Sequence, residues 1–244
     1  MNSLLSGLNM KPSHFMNREP SMLQHIIFDV NETLLDLSAL DPFFEALFGD
    51  SQRRVEWFLT LEECWMTATI IGRYQPFGEL AQGALKMVGL RHGVAVSDSQ
   101  CETLADQLQA LPPHPDVLEA LAALREKDFI LTALTNSSLA AAKVQLETAG
   151  LTALFDQVMA TSEIERFKPA PETYRMVAER LGIETGQMMM VAAHAWDIAG
   201  AASAGCRTAF VERPGKVLNP VGIQPDLSGQ DLHAVAQQII DWQG

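Results

Sequence analysis

Four short apolar runs, separated by stretches of helical period, restrict the fold of this chain more than any other feature. Gln24–Val30 (QHIIFDV) is rich in β-branched and aromatic residues, with an acid near its end, and Phe129–Thr135, Met188–Ala193 and Thr208–Glu212 are the others. Runs without polar alternation suit strands covered on both faces, as in parallel sheets. Between them, a segment opened by Ser137 and Ser138 closes at Gly150, and one opened by Pro171 and Glu172 closes at Gly182, which are helix start and stop signals. Right-handed crossovers between such units predict an α/β fold, a doubly wound, Rossmann-like parallel sheet.

From Ser38 to Leu111 the apolar residues recur at helical spacing with no strand between them, which predicts a helical insert. Leu111-Pro112-Pro113-His114-Pro115 is a stiff boundary that marks the return to the sheet. The expected division is a core of 23–37 and 113–244 and an insert of 38–112, preceded by a loose tail of 1–22. That tail holds Lys11, Arg18 and two prolines without a basic start and apolar stretch, so it does not read as a secretory signal.

Composition narrows the partners. With 244 residues, 48% of them hydrophobic, the chain can bury a full core. Seventeen Lys+Arg against 30 Asp+Glu give a formal charge of -13, the wrong sign for neutralising nucleic-acid phosphates. No run approaches the roughly 18 to 20 apolar residues of a membrane span. Cys64, Cys101 and Cys206 are too scattered for a disulfide framework or a zinc site, so a cytoplasmic location is expected.

In an open parallel sheet the ligand crevice lies beyond the carboxyl ends of the strands, so polar residues just after apolar runs are candidates. Asp29, Asn31 and Thr33 follow the first run, Thr135 and Asn136 the second, and His194 and Asp197 the third, while Lys168 precedes Pro169. Singly, each reads as readily as a helix cap, a turn residue or a solvated lysine. As a set they suit covalent catalysis, in which a carboxylate at a strand end attacks an electrophile.

The order Phe-Asp-x-x-x-Thr-Leu (Phe28–Leu34), Leu-Thr-Asn-Ser (Leu134–Ser137), Lys-Pro (Lys168, Pro169) and Val-x-x-x-x-Trp-Asp (Val191–Asp197) resembles the haloacid dehalogenase superfamily. Within it, the type II 2-haloacid dehalogenases are most similar, over about residue 24 to the C-terminus and including Arg73–Phe77. The resemblance implies that 38–112 is a cap domain over the core, with the site between them. It implies Asp29 as nucleophile, Lys168 as the charge that keeps it ionised, Thr135 and Asn136 as orienting groups, and Asp197 as holder of Lys168 or a water. Tyr174 and Trp196 match family positions and, with Asn31 and Phe58, are the expected substrate-binding residues.

Two departures bear on the reaction. Superfamily phosphatases carry a second Asp where this chain has Asn31, which cannot supply a titrating proton. They also bind Mg²⁺ through a fourth-motif acid that is Ala193 here, leaving a hard cation short of anionic ligands. Both losses favour a leaving group that needs no proton, such as halide, so the expectation is hydrolysis of a small, anionic 2-haloacid without metal or cofactor. Against this, Phe58 aligns with the family's halide-holding Arg, and Ala192 and His194 replace a family Ser and Asn. Arg53, Arg54 and Arg73 are either substitutes for that arginine or solvated helix residues.

His194 reads equally as a base on water, a donor to a bound anion or a buried structural histidine. Trp57, Phe58, Trp65, Tyr74 and Phe77 read as a dry pocket lining or as packing of the insert. The alternative functions are a small-molecule phosphatase and a non-catalytic anion-binding relative. The oligomeric state stays open, with a homodimer implied by the resemblance.

Overall fold

In the computed structural model, which describes residues 23–242, one six-stranded parallel sheet has the order β3-β2-β1-β4-β5-β6. The predicted runs become β1 (His25–Phe28), β2 (Ile130–Thr135), β4 (Met188–Ala192) and β5 (Arg207–Val211). The edge strands β3 (Gln157–Ala160) and β6 (Leu227–Gly229) are absent from the sequence reading. They are short and carry little apolar sequence, as edge strands commonly do. The expected tail of 1–22 lies outside the described residues.

The helices follow their end signals. α6 (Leu139–Thr148) starts where the Ser138 side chain accepts from Ala141 N, and α7 (Pro171–Leu181) stops at Gly182, whose φ of 69° suits a residue without Cβ. The remaining core helices are α5 (Val117–Arg125), α8 (Ala195–Ser203) and α9 (Leu232–Ile240). Side chains alternate along β1, so Ile26 and Phe28 join one buried cluster and Ile27 the other, and both sheet faces are covered.

Between β1 and α5 lies the helical insert: α1 (Asp41–Phe48), α2 (Arg53–Ile70), α3 (Phe77–Arg91) and α4 (Asp98–Gln109). The chain leaves and re-enters through a paired neck, where Asp36 N donates to Pro112 O at 2.8 Å and His114 N to Leu34 O at 2.9 Å. We propose this neck as the boundary of the 38–112 insert. Trp57, Trp65 and Phe77 of the insert share one hydrophobic cluster with Phe28, Val30 and Leu34 of the core. Hydrogen bonds cross the same seam, from Phe167 N to Thr69 Oγ1 at 3.2 Å and from Gln145 Nε2 to Leu108 O at 2.7 Å. Among the described residues no helix is long and apolar enough to cross a membrane.

Register sets the position of the site. Phe28 lies opposite Ala133 of β2 and Val191 of β4, so the residues just past these three strand ends converge. The strand order reverses between β1 and β4, which is where ligands bind in open α/β sheets.

Gly200 of α8 backs onto this edge, and a Cβ there would come within 2.6 Å of Pro169 O and 2.7 Å of the Tyr174 hydroxyl. Gly200→Ala is therefore expected to destabilise the fold by about 2 kcal/mol, the usual scale of overpacking. Urea denaturation measures this, and an unchanged midpoint would contradict the tight packing.

Candidate active site

Asp29 extends β1, its N–H donating to Val191 O at 3.0 Å, and the chain then turns tightly as Leu34 N and Leu35 N both donate to Val30 O. The turn brings Thr33 back beneath the carboxylate. Thr33 Oγ1 accepts from Ala193 N at 3.0 Å and donates to Asp29 Oδ2 at 2.6 Å, so its proton has a fixed direction. Thr33 O is itself held by Arg213, whose guanidinium also grips both oxygens of Asp116, at 2.7 and 2.9 Å.

Lys168 is fully buried, and its ammonium has three acceptors: Asp29 Oδ1 at 2.8 Å, Asp197 Oδ2 at 2.7 Å and Leu134 O at 3.0 Å. Burial opposes its charge, but Asp197 and Asp29 more than compensate, and its pKa lies above the usual lysine value. Burial would likewise push the Asp29 carboxyl up. The Lys168 charge and the His194 hydrogen bond and charge outweigh it and hold the carboxyl well below the usual range. Asp197 goes the other way, raised by burial and by the Asp29 charge despite Lys168.

Several expected contacts are redistributed. Asn136 and Thr135, expected to orient the attacked carboxylate or the substrate, make no hydrogen bond to Asp29. Asn136 Oδ1 accepts from Lys168 N at 2.9 Å and from Thr161 Oγ1 at 3.1 Å, and Thr135 Oγ1 accepts from Ser137 N at 3.1 Å. They brace the loops that carry Lys168 and Ser137. Tyr174, expected at the substrate, lies fully buried behind Asp197 and donates to its Oδ1 at 2.6 Å. Asn31 turns toward α6, donating to Ser137 Oγ at 3.3 Å and accepting from Gln145 Nε2 at 3.1 Å.

His194 stands against Asp29, with Nδ1 3.1 Å from Asp29 Oδ2 and Nε2 2.9 Å from Glu32 Oε2. Only an imidazolium can donate to both carboxylates. Burial would lower its pKa, but the hydrogen bonds and charges of Asp29 and Glu32 push it up to about 9. Of the three readings the sequence left open for His194, this arrangement favours a charged donor over a base on water. The ring is stacked between Phe58 and Trp196, with centroids at 5.8 and 4.7 Å and interplanar angles of 21° and 20°. Trp196 Nε1 in turn donates to Glu62 Oε1 at 2.9 Å, tying the stack to α2.

Phe58 thus presents a ring face where the family resemblance predicts an arginine. The three alternative arginines do not pair with Asp29. Arg53 pairs with Asp50 and Glu56, Arg54 with Asp41 and at 3.9 Å with Glu32, and Arg73 lines a recess of the insert beside Tyr74 and Gln75. Trp57, Phe58, Trp65 and Phe77 contact one another in sequence with centroids 5.8 to 6.0 Å apart, edge-to-face at the first two contacts and stacked at the third, so they pack together within the insert.

The sequence reading missed Glu32 and Lys216. Glu32 is 8% exposed, has φ of 63°, and pairs with His194, Arg54 and Lys216, whose ammonium also lies 5.2 Å from the Phe58 ring. Lys216 and Arg213 follow β5, so collecting polar residues after the fourth apolar run would have found both. Nothing in the sequence marks Glu32 as buried.

The donors do not fit a Mg²⁺ ion. Two cations, Lys168 and His194, already face the Asp29 carboxylate, Lys168 and Tyr174 hold Asp197, and the fourth-motif acid is Ala193, so a hard cation lacks anionic ligands. Among the described residues no group of three or more His, Cys, Asp or Glu could hold a metal.

Comparison with known proteins adds an independent line. Residues 23–205 match the model of the haloacid dehalogenase-like hydrolases. (S)-2-haloacid dehalogenase 1 of Pseudomonas sp. (strain CBS-3) is 31% identical over 193 residues, covering 78% of this chain and 85% of that protein. (S)-2-haloacid dehalogenase H-109 of Pseudomonas putida is 24% identical over 222 residues, covering 90% and 99%. Among solved structures, the L-2-haloacid dehalogenase of Xanthobacter autotrophicus superposes with a TM-score of 0.83 at 23% identity, covering 89% of this chain and 98% of that one.

The His194 pairing has a measurable consequence. Because its folded pKa, about 9, exceeds the unfolded value near 6.5, the stability it contributes is complete below pH about 6.5 and is lost as pH rises through about 9. A histidine Cε1–H titration by NMR should place its midpoint near 9, and Glu32→Gln should lower it by at least about one pH unit. A wild-type midpoint at or below 6.5 would contradict the imidazolium.

Proposed function

The chain belongs to the haloacid dehalogenase-like hydrolases, and from that premise we propose that it hydrolyses small 2-haloacids to 2-hydroxy acids through an ester on Asp29. The observation that carries the reading is the Asp29 carboxylate itself, buried, held ionised, and set at the switch point of the sheet beneath the insert. Oδ2 accepts from both Thr33 and His194, whereas Oδ1 accepts from Lys168 alone. Oδ1 therefore keeps a free lone pair and is the attacking atom.

Attack by Oδ1 at C2 forms the C–O bond of the ester as the C–halogen bond breaks and its electron pair leaves with the halide. Water then adds to the Asp29 carbonyl carbon, and the Asp29–ester C–O bond breaks to release the 2-hydroxy acid. The net products are the hydroxy acid, halide and one proton. With His194 already an imidazolium, the proton of that water goes to a carboxylate. Asp197, raised by burial and bonded to the same Lys168, is the acceptor and returns that proton to the departing alkoxide oxygen, and the water's second proton is the one lost when the regenerated Asp29 carboxyl ionises. Lys168 and His194 balance the charge of the carboxylate and draw in the small anionic substrate, which the -13 chain repels at long range.

One observation favours a second reading, a non-catalytic anion-binding relative. Phe58 and Trp196 sandwich His194 over Asp29, which is 4% exposed, and all three Lys168 protons are already accepted. Among the described residues no arginine contacts Asp29, and the stacked His194 and Phe58 rings lie against the carboxylate side that a substrate would need.

Halide release from 2-chloro-, 2-bromo- and 2-fluoro-acids, measured with chelator present, separates the readings. Turnover is expected from the wild type and none from Asp29→Asn, and Lys168→Ala should lose on the order of 10²- to 10³-fold in kcat. Silence of the wild type across the panel, with ligand-induced thermal stabilisation, selects the binding reading. If the enzyme turns over, added salt should leave kcat/KM unchanged or raise it, and a steep fall would contradict long-range repulsion of the substrate.

A further inference from the structure

The sheet order β2-β1-β4 gives Asp29 different neighbours on its two sides. His194 follows β4, and its stack with Phe58 and Trp196 packs that side. On the β2 side a partly open recess of about 130 Å³ lies between α3 and α4 of the insert and α6 of the core. Its walls are mostly apolar, with Phe77, Ala81, Leu104, Leu108 and Ala141 among them.

Three residues of these walls belong to the segments that build the site. Asn31 stands two positions beyond Asp29, and its side chain is drawn toward α6 by Ser137 Oγ at 3.3 Å and Gln145 Nε2 at 3.1 Å. Ser137 follows Asn136, whose Oδ1 holds the Lys168 backbone at 2.9 Å. Phe77 stacks on Trp65 with centroids 5.8 Å apart, and Trp65 meets Trp196, the ring against His194, at 5.6 Å. The recess is therefore an apolar extension of the surroundings of Asp29, bounded on its core side by the loops after β1 and β2. Apolar walls beside a few fixed charges suit a ligand that is charged at one end and hydrocarbon at the other. An engineered cavity of about 150 Å³ takes up benzene, so this recess has room for about four or five carbon atoms.

We infer that this recess receives the C2 substituent of the substrate, and that the chain prefers 2-haloacids bearing an unbranched alkyl group of about four carbons. The inference rests on the reaction proposed above, because it places the remainder of the same substrate. With C2 at Asp29, the alkyl group runs past Asn31 between Phe77 and Ala141, clear of the Phe58–His194–Trp196 stack. Each methylene removed from water adds about fourfold in affinity, so a butyl group is favoured over a methyl group by at least about tenfold even in a recess that leaves its end partly exposed.

The test compares 2-bromopropanoate with 2-bromohexanoate in bromide release by the full chain, and propanoate with hexanoate in calorimetric binding. The six-carbon acid is expected to lead by at least about tenfold in both kcat/KM and Kd. Ala105→Leu in α4 and Ala141→Leu in α6 narrow the recess from opposite walls, and either should bring the six-carbon acids down to the level of the three-carbon ones while leaving the latter within about twofold. Equal values for the two chain lengths in the wild type, or variants that weaken both lengths alike, would overturn the assignment. If the wild type releases bromide from neither acid, the reaction reading fails by itself and the binding ratio decides the recess: a hexanoate preference abolished by the leucine variants supports it, and equal Kd values or no hexanoate binding below about 10 mM overturn it. The comparison of chain lengths on the unaltered chain stands even where a variant does not fold.

Discussion

The site is organised around a single buried ammonium. Removing Lys168 from water carries a desolvation cost of several kcal/mol, tolerated only when its donors and charge are fully matched. Asp29, Asp197 and the Leu134 carbonyl provide that match. Much of the surrounding architecture keeps these groups in place. Asn136 holds the Lys168 backbone, Tyr174 fixes the far oxygen of Asp197, and Gly200 leaves room for Pro169 and the Tyr174 hydroxyl. The proposed nucleophile and the structural core of the site are therefore the same network.

A second cation modifies this plan. His194, stacked on Trp196 and Phe58 and anchored by Glu32, adds a positive charge against the other Asp29 oxygen. Glu32 is balanced in turn by Lys216 and Arg54, so four anions, Asp29, Glu32, Asp197 and Glu62, stand among four cations, Lys168, His194, Lys216 and Arg54. The neighbourhood of Asp29 is close to neutral, and a carboxylate substrate meets no net repulsion there although the whole chain is strongly acidic. In that arrangement Phe58 is the partner of an aromatic stack, which gives physical sense to an aromatic residue where the family resemblance predicts an arginine.

The fold was legible because parallel strands buried on both faces leave continuous apolar runs, and β1, β2, β4 and β5 all do. The edge strands β3 and β6 were not, since three or four half-covered residues carry no periodicity to read. Among site residues, Asp29, Asp197 and His194 were legible as polar groups beside strand ends and Lys168 through the Lys-Pro motif of the resemblance, and the structure brings all four together. The directions of Asn31, Asn136 and Tyr174 were not legible. An amide or hydroxyl bonds whatever partner the packed segments put within reach, and those segments lie 23 to 106 residues apart in the chain.

By itself the sequence determined the α/β sheet, the inserted helices and the strand-end positions of the charged groups, because hydrophobic periodicity and helix end signals act locally. Only the tertiary structure decided that Glu32 is buried and that His194 lies between two carboxylates, whose hydrogen bonds and charges push its pKa up. Each of these depends on burial and on charges brought close by segments remote in the chain. Desolvation and pairing are properties of that three-dimensional neighbourhood, and no local pattern of residues encodes them.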